Sequence, residues 1–129
     1  MEDIIKISPD NKRAKALKEM ALERYSTIRE LKIPYRIIEE YYEIIKELLT
    51  AYMYKEGFKT LSHKSLVDFS KENIKFISNK DSELIDELRI KRNNIVYYGE
   101  RITSEFLKSR EPAIRNIIEL LIKNLLFLL

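Results

Sequence analysis

Apolar residues recur along this chain at steps of three and four, the spacing that lines side chains along one face of a helix. Leu17, Met20, Ala21, Tyr25, Ile28 and Leu31 form the first such stripe. Ser8-Pro9-Asp10 just ahead of it reads as a helix start, with serine as cap, proline at the first helical position and an acid in the first turn. The first helix is expected to reach about Leu31. Pro34 then ends it or opens the next, because proline disfavours helical geometry in the residue before it. The strongest signal runs from Pro34 to Glu56, where Ile37, Ile38, Tyr41, Ile44, Ile45, Leu48, Leu49, Tyr52 and Met53 make a stripe wider than a coiled-coil seam. Gly57 is its expected stop, and this is expected to be the central helix of a bundle.

Phe58 to Leu61 read as a short connection, and Ser62 as the cap of a third, shorter helix carrying Leu66, Val67 and Phe69. Residues 73–80 are looser, with Ile74, Phe76 and Ile77 pinning them to the core. Asp81 or Ser82 is expected to cap a fourth helix whose inward face is Leu84, Ile85, Leu88 and Ile95 and whose stop is Gly99. Thr103 or Ser104 begins the last helical region, which Pro112 is expected to kink or restart. Ile114, Ile117, Ile118, Leu121, Leu125 and Leu128 supply its stripe. Residues 125–129 are apolar on all sides, which suits subunit contact or packing back onto the core. Glu119, Lys123 and Asn124 interrupt the apolar run, so no membrane span is expected. No repeat and no strand alternation stands out. The pattern predicts one all-α domain over residues 1–129, an antiparallel helical bundle of about five helices with short connections.

Composition agrees and removes several chemistries. The 129 residues are 45% apolar and 35% charged, with two glycines and three prolines, a helical and not a disordered balance. Without cysteine there is no disulfide framework, thiol catalysis or thiolate metal site, and the single histidine, His63, leaves a histidine-based zinc site unsupported. Two isolated glycines cannot build a glycine-rich phosphate loop. No cofactor or metal is expected. A net charge of +3 with acids interleaved among bases gives only weak attraction for nucleic acid. Residues 1–8 lack a signal peptide's apolar core, so the expected location is the cytoplasm.

One stretch departs from a plain amphipathic helix. Glu87 to Gly99 reads Glu-Leu-Arg-Ile-Lys-Arg-Asn-Asn-Ile-Val-Tyr-Tyr-Gly, and asparagine is a poor helix former whose side chain competes for backbone hydrogen bonds. Arg89, Arg92, Asn93 and Val96 share a face beside the apolar one, and Tyr97, four residues after Asn93, falls near it. The candidate ligand-binding residues are therefore Arg89, Arg92, Asn93, Tyr97 and Tyr98, with Arg92 and Tyr97 as candidate catalytic groups. A structural alternative stands beside this: Arg92 pairing with Glu43 or Glu47 on the facing helix, and the asparagines satisfying each other across a dimer axis. His63, in the first turn of its helix, reads as a packing or capping residue whose ordinary pKa would also suit acid–base work. The tyrosines of the central helix read as core and rim residues, with a base-stacking platform as the alternative.

Three segments together resemble the HEPN family, small helical domains of prokaryotic toxin–antitoxin and nucleotide-related systems. They are Tyr41-Tyr42-Glu43 through Lys46-Glu47-Leu48-Leu49 to Gly57, then Leu61-Ser62-His63-Lys64-Ser65-Leu66, and Leu88-Arg89 with Arg92-Asn93-Asn94-Ile95-Val96-Tyr97-Tyr98-Gly99. The resemblance implies a homodimer in which two copies of the third segment meet in a cleft. In active members an arginine, often followed by a polar residue, and a histidine five positions on support metal-independent RNA cleavage. Arg92 and Asn93 match the first two, and Tyr97 stands at the histidine position. In some members a tyrosine two positions after that histidine is adenylylated by a partner nucleotidyltransferase; Gly99 stands there.

A phenol, with a reference pKa near 10, is a weak base at neutral pH, and losing one acid–base group costs about 10²–10⁴ in rate. The expected function is therefore a dimeric nucleotide- or RNA-binding module, weak or inactive as a ribonuclease, beside a partner such as a minimal nucleotidyltransferase. The alternatives are an active metal-independent ribonuclease toxin using Tyr97, Tyr98 or His63, and a purely structural interaction domain.

Overall fold

The structure, a computed structural model, describes residues 3–125. In chain order it contains β1 (Ile5–Lys6), α1 (Asn11–Thr27), a 3₁₀ turn (Ile28–Glu30), α2 (Pro34–Glu56), β2 (Phe58–Lys59), α3 (His63–Asn73), α4 (Asn79–Tyr98) and α5 (Ser104–Asn124). It is an all-α helical bundle built around α2, which packs against each of the other four helices. A helix surrounded in this way must be apolar on most of its circumference. Ile38, Tyr41, Tyr42, Ile44, Ile45, Leu48, Leu49, Ala51 and Met53 are all buried, so α2 forms the middle of the core.

The ends of α2 follow the expected chemistry. Pro34 occupies the first turn, where its missing N–H costs no hydrogen bond. Gly57 closes the helix in the left-handed region at φ +85°, its N–H donating to the Tyr54 carbonyl at 3.2 Å. Glycine is needed there for a second reason: a Cβ would lie 2.8 Å from the Ile7 carbonyl oxygen. That approach comes from a two-residue antiparallel ribbon, Ile5 opposite Lys59 and Lys6 opposite Phe58, which is too short to leave an alternating pattern in the sequence.

Three boundaries differ from the expectation. Asp10, not Ser8, caps α1 by accepting from the Arg13 N–H at 2.9 Å, and α1 ends at Thr27 in the 3₁₀ turn. Ser78 caps α4, ahead of Asp81 and Ser82. Its hydroxyl accepts from the Asp81 N–H at 3.0 Å while the Asp81 carboxylate accepts from the Ser78 N–H at 3.3 Å, a reciprocal capping box that satisfies two end donors at once. Ser82 instead lies buried within the helix. Pro112 does not divide α5, which continues from Ser104 to Asn124; Pro112 and Lys108 are exposed, so water can reach the carbonyl that proline leaves unbonded. Ser62 and Thr103 cap α3 and α5 as expected.

At the far end of α5, Leu125 is buried and its carbonyl accepts from Nζ of the fully buried Lys18 at 3.0 Å. The rest of the apolar end expected there, residues 126–129, lies outside the described residues. Among the described residues no helix is long and apolar enough to cross a membrane.

Candidate functional site

α4 carries three faces. Ile85, Leu88 and Ile95 are buried against the bundle. Ile90, Val96, Tyr97 and Tyr98 are exposed, Tyr97 at 69% and Tyr98 at 83%. Arg89, Arg92 and Asn93 are half-buried. Arg89 Nε donates to Asp86 Oδ1 at 2.8 Å. Arg92 Nη1 donates to Asn93 Oδ1 at 3.3 Å, and no carboxylate pairs with Arg92 among the described residues. The structural pairing expected from the sequence is absent, because both acids are already engaged: Glu43 with Lys46 at 2.6 Å, and Glu47 with Arg24 at 3.0 Å. Asn94 turns away as well, donating to Glu100 at 3.0 Å beside the Lys91–Glu100 pair at 2.8 Å.

The histidine that sequence could not place comes to this cluster from α3. Ser62 accepts from the Ser65 N–H at 3.1 Å and so fixes the start of α3, with His63 as its first residue. The His63 ring tilts against that of Tyr42 on α2, with centroids 5.8 Å apart and planes at 43°. Burial pushes the His63 pKa below its ordinary value. Lys46, Arg92 and Arg89 push it the same way, while Glu43 opposes them. His63 is therefore neutral at pH 7 and able to accept a proton.

Tyr42 lies outside the apolar stripe read for α2, and no spacing argument gave its side chain a role at the site. It is 1% exposed, and among the described residues its hydroxyl is the one buried side-chain polar atom without a hydrogen-bond partner. Burial raises its pKa to about 12, opposed by the nearby charges of Arg89 and Arg92. Buried hydroxyls are almost always bonded, so this one is an exception with a donor to spare.

His63 also lines a cavity of about 300 Å³ between α1, α2 and the connection into α3, with Glu43, Lys46 and Glu47 on its α2 side. Among the described residues no group of three or more histidine, cysteine or acidic side chains comes together to hold a metal.

The charges of Arg89 and Arg92 thus reach both His63 and Tyr42, Arg92 bonds Asn93, and Tyr97 and Tyr98 stand at the exposed end of α4. Five residues is about 1.4 helical turns, so Tyr97 points about 140° away from Arg92 around the axis. Within one chain, Tyr97 stands apart from Arg92. In comparisons with protein-family models, curated proteins and solved structures, nothing matches the chain.

Proposed function

We propose that the chain is an HEPN-like, homodimeric module that binds nucleotide or RNA phosphate at Arg92, has little or no ribonuclease activity, and acts beside a partner such as a minimal nucleotidyltransferase. One observation carries the reading: Arg92 is a half-buried guanidinium with no carboxylate among the described residues. Its planar fork matches a phosphate in bidentate fashion, and charge-assisted bonds of that kind are about twice as strong as neutral ones. Arg89 on the same face of α4 and His63, whose ring the charge of Arg92 reaches, support the reading. Tyr97, exposed and phenolic, is a poor substitute for a general base.

The test is titration of labelled RNA and of nucleotides onto wild type and Arg92→Ala. Wild type should bind, and the variant should lose tenfold or more, the scale of about 1.5–3 kcal/mol for a hydrogen bond to a charged group. Equal, negligible binding by both ends the proposal.

A second reading, an active metal-independent ribonuclease toxin, is favoured by one feature: His63 is held in its neutral, proton-accepting form in the field of Arg92. On that reading purified protein cuts RNA without metal, His63→Gln abolishes the cut, and Tyr97→Phe leaves it intact. RNA left whole by wild type excludes it.

A further inference from the structure

The cavity beside His63 has a chemistry that phosphate binding leaves unused. Its carboxylates are partnered, Glu43 by Lys46 and Glu47 by an Arg24 that also bonds Glu40, and the acids outnumber the bases, so the space suits a neutral, hydrogen-bonding group better than an anion. Leu17 and Leu66 supply apolar wall. Glu47 is buried; its Oε1 accepts from Arg24, and Oε2 has no donor among the described residues. Thr60 and Ser62 on the connection into α3 each accept a backbone N–H at 3.1 Å, and neither hydroxyl proton has an acceptor among the described residues. The walls therefore offer a charged acceptor and two hydroxyl donors between apolar surfaces. That is the complement of a planar heterocycle carrying an amino group next to ring acceptors. At about 300 Å³ the cavity is at the small end of ligand sites, which span about 300–1,000 Å³, and takes one ring system and not a longer chain. His63 lines it on one side and packs its ring on Tyr42, and the charge of Arg92 reaches this histidine from α4.

We infer that this cavity is the base subsite of a nucleotide site whose phosphate end is Arg92, with Glu47 selecting bases that carry an exocyclic amino group. The inference rests on the phosphate reading of Arg92 and adds to it a base preference. Cytosine and uracil separate the two cases: cytosine carries an amino donor where uracil carries a carbonyl acceptor, which a carboxylate repels.

Calorimetric titration of wild type with CMP, UMP and ribose 5-phosphate tests it, with trinucleotides ending in cytidine or uridine to distinguish a free nucleotide from an RNA end. CMP should bind about tenfold or more tighter than UMP, the span of one hydrogen bond to a charged acceptor, and UMP about as tightly as ribose 5-phosphate. Glu47→Gln should bring the CMP-to-UMP ratio near one and leave ribose 5-phosphate affinity unchanged. Because Glu47 is buried on Arg24, Thr60→Val serves as a second variant, weakening CMP and not ribose 5-phosphate. If wild type binds all three ligands equally and Arg92→Ala abolishes them all, the base subsite is overturned and the phosphate reading stands. If none of them binds and the RNAs do not either, both fall.

Discussion

His63 couples the chemistry of the site to the stability of the fold. Its folded pKa lies below the ordinary value near 6.5, so over the interval between the two the unfolded chain binds more protons than the folded one. Stability therefore rises with pH through that interval, is fully present above about 6.5, and is lost as pH falls toward the lowered folded value. Wild type should show a lower urea midpoint at pH 5.5 than at pH 8, and His63→Gln should flatten the difference. Phosphate beside Arg92 adds negative charge near the ring and should raise the His63 pKa, visible as a shifted imidazole titration by NMR; an unmoved titration at saturating phosphate would place the anion elsewhere. The two glycines give a second contrast at this scale. Gly99 lies at φ +67° with nothing within 4 Å of an added Cβ, whereas Gly57 at φ +85° would set one against the Ile7 carbonyl. Gly99→Ala should cost only the left-handed backbone penalty of about 1–2 kcal/mol. Gly57→Ala should cost clearly more, and equal unfolding midpoints for the two variants would show that the ribbon yields at no cost.

At the scale of elements, the capping box at Ser78 decides where α4 begins and hence how Arg89 and Arg92 are phased against α2. Ser78→Ala should destabilise the protein by about 0.5–2 kcal/mol by chemical denaturation, and Ser82→Ala should lack that cap loss. If Ser82→Ala shows the cap-sized loss and Ser78→Ala does not, the helix begins four residues later than described. This boundary also shows what sequence could reveal. α2 was legible from end to end because Pro34, a wide apolar stripe and Gly57 all agree. The start of α4 was not, because several capping residues lie within five positions and only reciprocal hydrogen bonds choose among them. The Arg89–Arg92 face followed from helical spacing alone. The approach of His63 to Arg92 did not, since it depends on how α3 and α4 pack around α2, and no local pattern encodes that. The stray Tyr42 hydroxyl was hidden for the same reason: at a core position of α2, only the missing partner sets it apart.

For the whole molecule, the proposed homodimer needs a surface on which two copies meet, and α4 carries an exposed apolar one. Ile114, Ile117, Ile118 and Leu121 of α5 are fully buried within the chain, and of the apolar end expected as subunit contact or core packing, Leu125 is buried and residues 126–129 lie outside the described residues. On α4, by contrast, Ile90 and Tyr97 are exposed and, at 100° per residue, lie about 20° apart on one face with Asn93 between them. A twofold contact uses the same patch on both copies, so pairing through this face would set Tyr97 near its own counterpart, while Arg92, about 140° round the axis from Tyr97, would stay outside the contact. Tyrosine suits such a position, offering a large rigid surface with a polar tip. Sedimentation velocity at micromolar concentration should therefore find a dimer for wild type. Ile90→Asp combined with Tyr97→Asp should give a monomer with an unchanged helical circular-dichroism spectrum, since neither side chain supports the core. The same variant separates the two levels of the reading: phosphate binding that persists in the monomer belongs to Arg92 within one chain, and binding that vanishes with the dimer depends on the second copy. A wild-type chain that sediments as a clean monomer removes the homodimer from the proposal and leaves Arg92, His63 and Tyr42 to act alone.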